Sequence, residues 1–302
     1  MGYTGRFAPS PTGPLHMGSL MTAVASYCQT KLHNGKWLLR IEDIDPPREL
    51  PGATQSIIST LDKLGFEWDG DILYQSERSE LYRHAIEHLQ QQELVYPCLC
   101  SRKKIAATGV ATRFGVRYAG DCRNRRDSGG KAHSLRIKVP SKIIQIDDLI
   151  QPLRQQNLWE DTGDFIIKRA DGQYAYQLAV VVDDADQQIT EVVRGSDLLD
   201  STARQIYLLH CLEYAVPDYA HIPVLVDQQG DKLSKQSYAA AIDVKTGSQA
   251  LWKALWYLNQ QPPADLRQDS IREIWQWSLR NWDLSKIPTM LTIKQSSRSS
   301  YA

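Results

Sequence analysis

The stretch Arg6-Phe7-Ala8-Pro9-Ser10-Pro11-Thr12-Gly13-Pro14-Leu15-His16-Met17-Gly18-Ser19 decides how the rest of the chain is read. A short strand enters a Pro/Gly loop, Ala8 to Pro14, and a helix is expected from about Gly18 to Leu32. Such a joint presents backbone N–H groups and the positive end of a helix dipole to a phosphate. His16, at the helix start, can donate to a nucleotide oxygen, and Gly18 lets a nucleotide approach the backbone. On spacing alone the same residues also suit an ordinary strand-turn-helix joint with a capping histidine.

Working outward, a strand is expected at Trp37 to Ile41, running into the acidic turn Glu42-Asp43-Ile44-Asp45. Helices follow at Ala53 to Leu64, where Ile57, Ile58, Leu61 and Leu64 recur at helical spacing, and at Ser79 to Gln91. Strand-helix alternation of this kind implies a parallel sheet with helices on its faces. The pattern breaks at Val95 and resumes near Asp164 with Phe165 to Lys168, the turn Asp171-Gly172 and the apolar run Leu178 to Val182. A strand at Ile189 to Val193, a helix at Thr202 to Leu212 and a strand at Ile222 to Val226 come next. The expected fold is therefore α/β: a Rossmann-like doubly wound parallel sheet in two halves, 1–94 and 165–236. An α+β subdomain is inserted at 95–164, and a short, mostly helical C-terminal region covers 237–302. The tryptophans of that region (Trp252, Trp256, Trp275, Trp277 and Trp282) read as core packing.

The chain of 302 residues is 42% hydrophobic and 23% charged, an ordinary globular balance. No apolar run approaches the length of a membrane span, and Arg6 stands where a signal peptide would be apolar, so a cytoplasmic enzyme without membrane association is expected. Five cysteines, an odd number, argue against a disulfide framework; Cys28 and Cys211 read as small core residues. The net charge of zero conceals an uneven distribution. Between Ser101 and Lys142 stand twelve lysines and arginines against two aspartates. That segment is either a solvated loop or, the better reading at this density, a contact for a nucleic-acid phosphate backbone.

A second charged loop, Gly230-Asp231-Lys232-Leu233-Ser234-Lys235-Gln236, lies near the end of the alternating region. Two lysines around a serine suit a triphosphate whose negative charge migrates to a leaving pyrophosphate. Together the two loops resemble the signature motifs of class I aminoacyl-tRNA synthetases, His-x-Gly-His and Lys-Met-Ser-Lys-Ser, in the right order. Further patches narrow the resemblance: Leu39-Arg40-Ile41-Glu42-Asp43-Ile44-Asp45, Tyr176 to Asp184, and Val193-Arg194-Gly195-Ser196-Asp197-Leu198-Leu199. Over roughly residues 3 to 240 the chain is similar to the glutamyl branch, and within it to the short glutamyl-Q group. Ser19 in place of the second histidine and Lys-Leu-Ser-Lys-Gln in the second motif match that group.

The resemblance implies activation of L-glutamate by ATP, with Mg²⁺, followed by transfer to the queuosine base of tRNA(Asp). His16, Lys232 and Lys235 are the implied catalytic residues. Arg6, Ala8, Ser10, Glu42, Tyr176 and Arg194 are implied for glutamate, and His16, Gly18, Ser19 and Lys235 for ATP. The chemistry agrees, since a carboxylate suits the donor fork of arginine and Glu42 can pair with an α-ammonium group. Asp183 and Asp184 are left outside the site. A monomer is expected, and the 66 residues from Ser237 onward are expected to be too few for a full anticodon-binding domain. The rivals are a truncated glutamyl-tRNA synthetase charging a tRNA 3′ end, a nucleotidylyltransferase, and a non-catalytic tRNA-binding relative. The presence of His16, Lys232 and Lys235 argues against the last.

Cys98, Cys100 and Cys122 offer three soft metal ligands, but zinc normally takes four. Tyr118, His133 and Asp121 are the nearby choices for the fourth, and three reduced cysteines in a small core are the other reading. The resemblance supports Cys98, Cys100, Tyr118 and Cys122 as ligands of one structural zinc ion.

Overall fold

In the computed structural model, which describes residues 2–231 and 240–295, the opening strand β1 (Thr4–Phe7) stops where Pro9 and Pro11 interrupt the chain. The helix α1 (Met17–Leu32) then passes through the centre of the molecule, buried from Leu20 to Thr30 except at Thr22. Two of its buried hydroxyls stay satisfied by folding onto the helix itself: Thr30 Oγ1 donates to the Ser26 carbonyl at 2.7 Å and Ser26 Oγ to that of Ala23 at 3.1 Å. Helix and strand approach so closely that a Cβ on Gly5 would lie 2.1 Å from Thr30 Oγ1. Only glycine fits there. β2 (Lys36–Ile41) lies parallel to β1, with Phe7 opposite Leu39. After α2 (Ala53–Lys63), β3 (Leu73–Tyr74) adds to β2 in parallel, and α3 (Ser79–Gln91) follows.

The next region changes character. β4 (Val95–Cys98) leads to α4 (Arg102–Thr108) and the hairpin of β5 (Val110–Thr112) and β6 (Gly115–Arg117). β7 (Ser134–Ile137) is followed by a second hairpin, β8 (Ile143–Ile146) with β9 (Arg154–Asn157), then α5 (Leu158–Asp161) and β10 (Phe165–Lys168). β4 and β10 flank β7 on either side, both antiparallel to it.

The apolar run Leu178 to Val182 is the core of a helix, α6 (Tyr176–Asp186), buried on all sides. β11 (Glu191–Gly195), α7 (Leu199–Cys211) and β12 (Asp218–Ile222) complete a second parallel unit. β11 lies against β1, where the Thr190 N–H donates to the Thr4 carbonyl at 2.9 Å. The α/β architecture is as expected, but two elements differ. The strand expected at Ile222 to Val226 is broken at Pro223, which has no N–H to donate. Its second part, β13 (Val224–Val226), belongs to a different sheet.

The partner of β13 is the second difference. Beyond α8 (Gly247–Tyr257) and α9 (Ile271–Asn281), the region expected to be mostly helical contains a strand, β14 (Thr292–Lys294), parallel to β13. Three residues flanked by a Pro-Thr-Met turn carry too little periodicity to be recognised locally. Trp252, Trp275 and Trp282 are buried in the same core as α1, while Trp256 and Trp277 pack on its edge. No helix among the described residues is long and apolar enough to cross a membrane.

Trp275 ties the C-terminal helices to α1 and the end of α2: its indole N–H donates to the Leu64 carbonyl at 2.7 Å, and its ring packs on Tyr27 and Phe66, each 4.9 Å away. Trp275→Ala is expected to cost about 3–5 kcal/mol in equilibrium urea unfolding, with one transition for the whole chain. Separate transitions would mean that the C-terminal helices do not share the core.

Candidate functional site

A cavity of about 510 Å³ opens where the C-terminal ends of β1, β2 and β11 meet the N-terminus of α1. Among its walls are Arg6, Ala8, Ser10, Glu42, Tyr176 and Arg194, the six residues assigned to glutamate. His16, Gly18 and Ser19, assigned to ATP, line the same space. Residues that are 188 positions apart in the chain thus share one pocket at the carboxyl ends of parallel strands, the usual place for a ligand in such sheets.

The floor is a buried charge network. Arg6, only 4% exposed, meets Asp184 through Nε at 3.2 Å and Nη2 at 3.4 Å, and its Nη1 reaches the Val193 carbonyl at 3.4 Å. Arg40 donates to the same Asp184 at 2.7 Å and to Gln187 at 2.7 Å, with Glu42 Oε1 3.5 Å away. Burial is the largest influence on Glu42 and pushes its carboxyl up to about 7, against the pull of Arg40 and Arg6. Next door, Asp183 accepts from Gln75, Arg78 and Tyr82 at 2.6–2.8 Å. The two aspartates at the end of α6 are thus structural anchors, and Asp184 orients Arg6.

Arg194 is 3% exposed and donates from every nitrogen: Nε to His221 Nε2 at 2.9 Å, Nη1 to Gln205 Oε1 at 2.7 Å and Nη2 to Thr202 Oγ1 at 2.9 Å. Sequence reasoning missed Asp184, Arg40, His221 and Asp148, the groups behind the cavity wall. One signal was available. Arg40 interrupts the apolar strand Leu38-Leu39-Arg40-Ile41, and a cation buried there requires a carboxylate such as those ending the apolar run of α6.

His16 closes α1 with a reciprocal cap. Its Nδ1 accepts from the Ser19 N–H at 3.4 Å, and Ser19 Oγ accepts from the His16 N–H at 2.9 Å. Because Nδ1 accepts, the neutral ring carries its proton on Nε2. A Cβ on Gly18 would come within 3.2 Å of this ring, so glycine keeps the imidazole in place as well as opening the backbone. On the far side of His16 a second cavity, about 640 Å³, is bounded by Ala240, Ala241 and Lys253. A β-bridge joins His16 to Ala241, and the Ile242 N–H donates to the Leu15 carbonyl at 2.9 Å. Lys232, Ser234 and Lys235 lie outside the described residues, but the chain that follows them is fastened directly to the first motif.

Cys98, Cys100 and Cys122 place their sulfurs within 4.8 Å of one another. The Tyr118 hydroxyl stands 3.5 Å from Cys98 and 3.7 Å from Cys100, while Cys100 and Cys122 are 3.6 Å apart. A tetrahedral site with metal–sulfur bonds of about 2.3 Å needs such spacings, and the donor set fits a soft divalent ion. Asp121 instead pairs with Lys104 at 2.9 Å, and His133 bonds the Lys131 carbonyl. Around the cluster Arg102, Lys103, Arg113, Arg125 and Arg126 are exposed, whereas Arg123 and Arg136 turn inward to Asp164.

Residues 4–253 match a model of the catalytic domain of class I tRNA synthetases (E and Q). A glutamyl-Q tRNA(Asp) synthetase of Aromatoleum aromaticum is 47% identical over 289 residues, covering 96% of this chain and 91% of its own. That of Neisseria meningitidis serogroup B is 50% identical, covering 95% and 97%. Among solved structures, a glutamate-tRNA synthetase from Elizabethkingia anophelis superposes with a TM-score of 0.82 at 24% identity, over 98% of this chain and 68% of that one, a likeness of fold.

The cysteine cluster yields a direct expectation. The purified protein should contain about one soft divalent metal ion per chain by elemental analysis, and Cys98→Ser should lose it. Metal-free wild-type protein in which all five cysteines titrate as thiols on unfolding would show that the cluster is a reduced core.

Proposed function

The chain belongs to the class I tRNA synthetases of the E and Q family, on the side of the glutamyl-Q tRNA(Asp) synthetases, and from that premise we propose that it joins L-glutamate to the queuosine base of tRNA(Asp). It is a ligase of the aminoacyl-tRNA synthetase type. The observation that carries the glutamate reading is the shared cavity in which two buried arginines, the Glu42 carboxyl group and a helix N-terminus converge.

In this reading the side-chain carboxylate of glutamate is held by Arg6 and Arg194, with the Tyr176 hydroxyl assisting. Its α-ammonium group pairs with Glu42, and Ala8 and Ser10 line its path. Attack by the α-carboxylate on the α-phosphorus of ATP needs no protein nucleophile, so the protein's work is positioning and charge stabilisation. His16 donates from Nε2 to a phosphate oxygen beside Gly18 and Ser19. Lys232 and Lys235 stabilise the charge that moves onto pyrophosphate, and Mg²⁺ accompanies the ATP. Zinc, held by Cys98, Cys100, Cys122 and the Tyr118 oxygen, would fix the fold of the inserted subdomain. The exposed arginines and lysines around it supply the phosphate contacts for the RNA.

The domain limits that go with this reading remain 1–94, 95–164, 165–236 and 237–302. In favour of an insertion, β4 and β7 lie in an antiparallel sheet apart from the parallel strands, although its third strand, β10, begins just past the limit at 164.

Labelled glutamate is expected to enter tRNA(Asp) that carries queuosine and not tRNA(Asp) that lacks it. Equal charging of both at the 3′ end would favour the truncated glutamyl-tRNA synthetase instead.

Glu42 makes the reading pH-sensitive. Its carboxyl, raised to about 7, must be ionised to pair with an ammonium group, so glutamate binding strengthens as pH rises. The KM for glutamate at pH 6 is expected to be roughly tenfold that at pH 8. Glu42→Gln should weaken binding and flatten the profile; an unaltered profile would remove Glu42 from the ammonium site.

A further inference from the structure

Behind Arg194 lies a chain of buried polar groups that the proposed reaction does not use. Asp148 stands between β8 and β9, where it bridges to Tyr219 of β12. Its Oδ1 accepts from three backbone N–H groups: Gln151 at 2.8 Å, Ile150 at 3.0 Å and His221 at 3.2 Å. Its Oδ2 faces His221 Nδ1 at hydrogen-bond distance, and both side chains are fully buried. The other ring nitrogen of His221, Nε2, meets Nε of Arg194 at 2.9 Å.

The proton inventory of this chain has one solution. The Arg194 Nε–H can only donate, so His221 Nε2 must accept. Asp148 is an acceptor, so Nδ1 must carry the proton. The geometry points to Asp148 and His221 as positioning residues that fix the direction of the Arg194 guanidinium by imposing one histidine tautomer. Burial, joined by the charge of Arg194, holds the imidazole down at about 4 despite Asp148, so the ring stays neutral near pH 7. A neutral ring leaves the positive charge of Arg194 facing the cavity, with no carboxylate paired to it among the described residues. Arg6, by contrast, is matched by Asp184. The two arginines therefore differ: Arg6 shares the carboxylate of Asp184 with Arg40, whereas Arg194 is hydrogen-bonded to neutral groups and offers its charge to an anionic side chain.

This inference rests on the glutamate reading of the cavity for its kinetic consequence, but not for its tautomer. Asp148→Asn is the informative change. The three backbone N–H groups hold the amide oxygen where Oδ1 stood, which turns the amide NH₂ toward His221 Nδ1. The histidine must then accept on Nδ1 and carry its proton on Nε2, opposing the Arg194 Nε–H.

Two measurements test this in the full-length protein. Long-range ¹H–¹⁵N spectra, with His221 assigned by its loss in His221→Gln, should show the Nδ1-protonated tautomer at pH 7. An Nε2-protonated ring overturns the proposal whether or not any variant at Asp148 folds. In glutamate-dependent ATP–pyrophosphate exchange, Asp148→Asn should raise the KM for glutamate by about tenfold or more, with the KM for ATP within about twofold. Adding His221→Gln to Asp148→Asn should recover most of that loss, because an amide oxygen accepts from Arg194 whatever occupies position 148. Equal effects on both substrates, or a double variant no better than Asp148→Asn, would reduce Asp148 to a structural role. Failure of the wild-type protein to show any glutamate-dependent exchange would instead overturn the glutamate reading, while the spectra still decide the tautomer.

Discussion

Two buried arginines share one carboxylate. Arg6 on β1 and Arg40 on β2 both close on Asp184 at the end of α6, and this contact joins the two halves of the parallel fold across more than 140 residues of sequence. Placing such charges out of water is costly unless each is paired and hydrogen-bonded, and losing one partner typically costs about 3–5 kcal/mol. Most of the network is satisfied: Gln187 takes one end of Arg40, the Val193 carbonyl takes Arg6, and Asp183 has its own three donors, while Arg40 Nε is left without a partner among the described residues. The cavity above it inherits that rigidity, which is what a site that works by positioning requires.

The same economy governs the helix end. His16 and Ser19 satisfy the first turn of α1 by bonding to each other, so the residue proposed to face a phosphate is also the cap of the helix that runs through the core. The serine found where the related motif has a second histidine is therefore not an empty position. It supplies half of the cap and holds the histidine tautomer. The proposed function and the local folding draw here on the same pair of side chains.

Much of the fold was legible because it was periodic. The buried face of α2 repeats at helical spacing, and strand-helix alternation announces a parallel sheet before any contact is known. The residues that line the cavity were legible through motif stretches at strand ends. Their partners were not, because Asp148, His221 and Arg194 come from three separate segments and acquire meaning only when β11 and β12 lie side by side. The sequence reads as one strand straight through Pro223, and nothing local indicated that Val224 to Val226 would pair with Thr292 to Lys294. Long-range parallel pairing leaves no mark on either strand taken alone.

That last pairing bears on how the molecule assembles. β13 lies some 65 residues before β14, and β1 some 185 before β11, so the sheets close through loops that spend chain entropy before any pairing returns it. Helices such as α2 and α3 form from neighbouring residues, but Val224 to Val226 remains an edge with open hydrogen-bond groups until the far strand arrives. During that interval the strand offers itself to any other extended chain. Slow closure, rather than weak final packing, is then the step at which a crowded solution would divert this protein into aggregates.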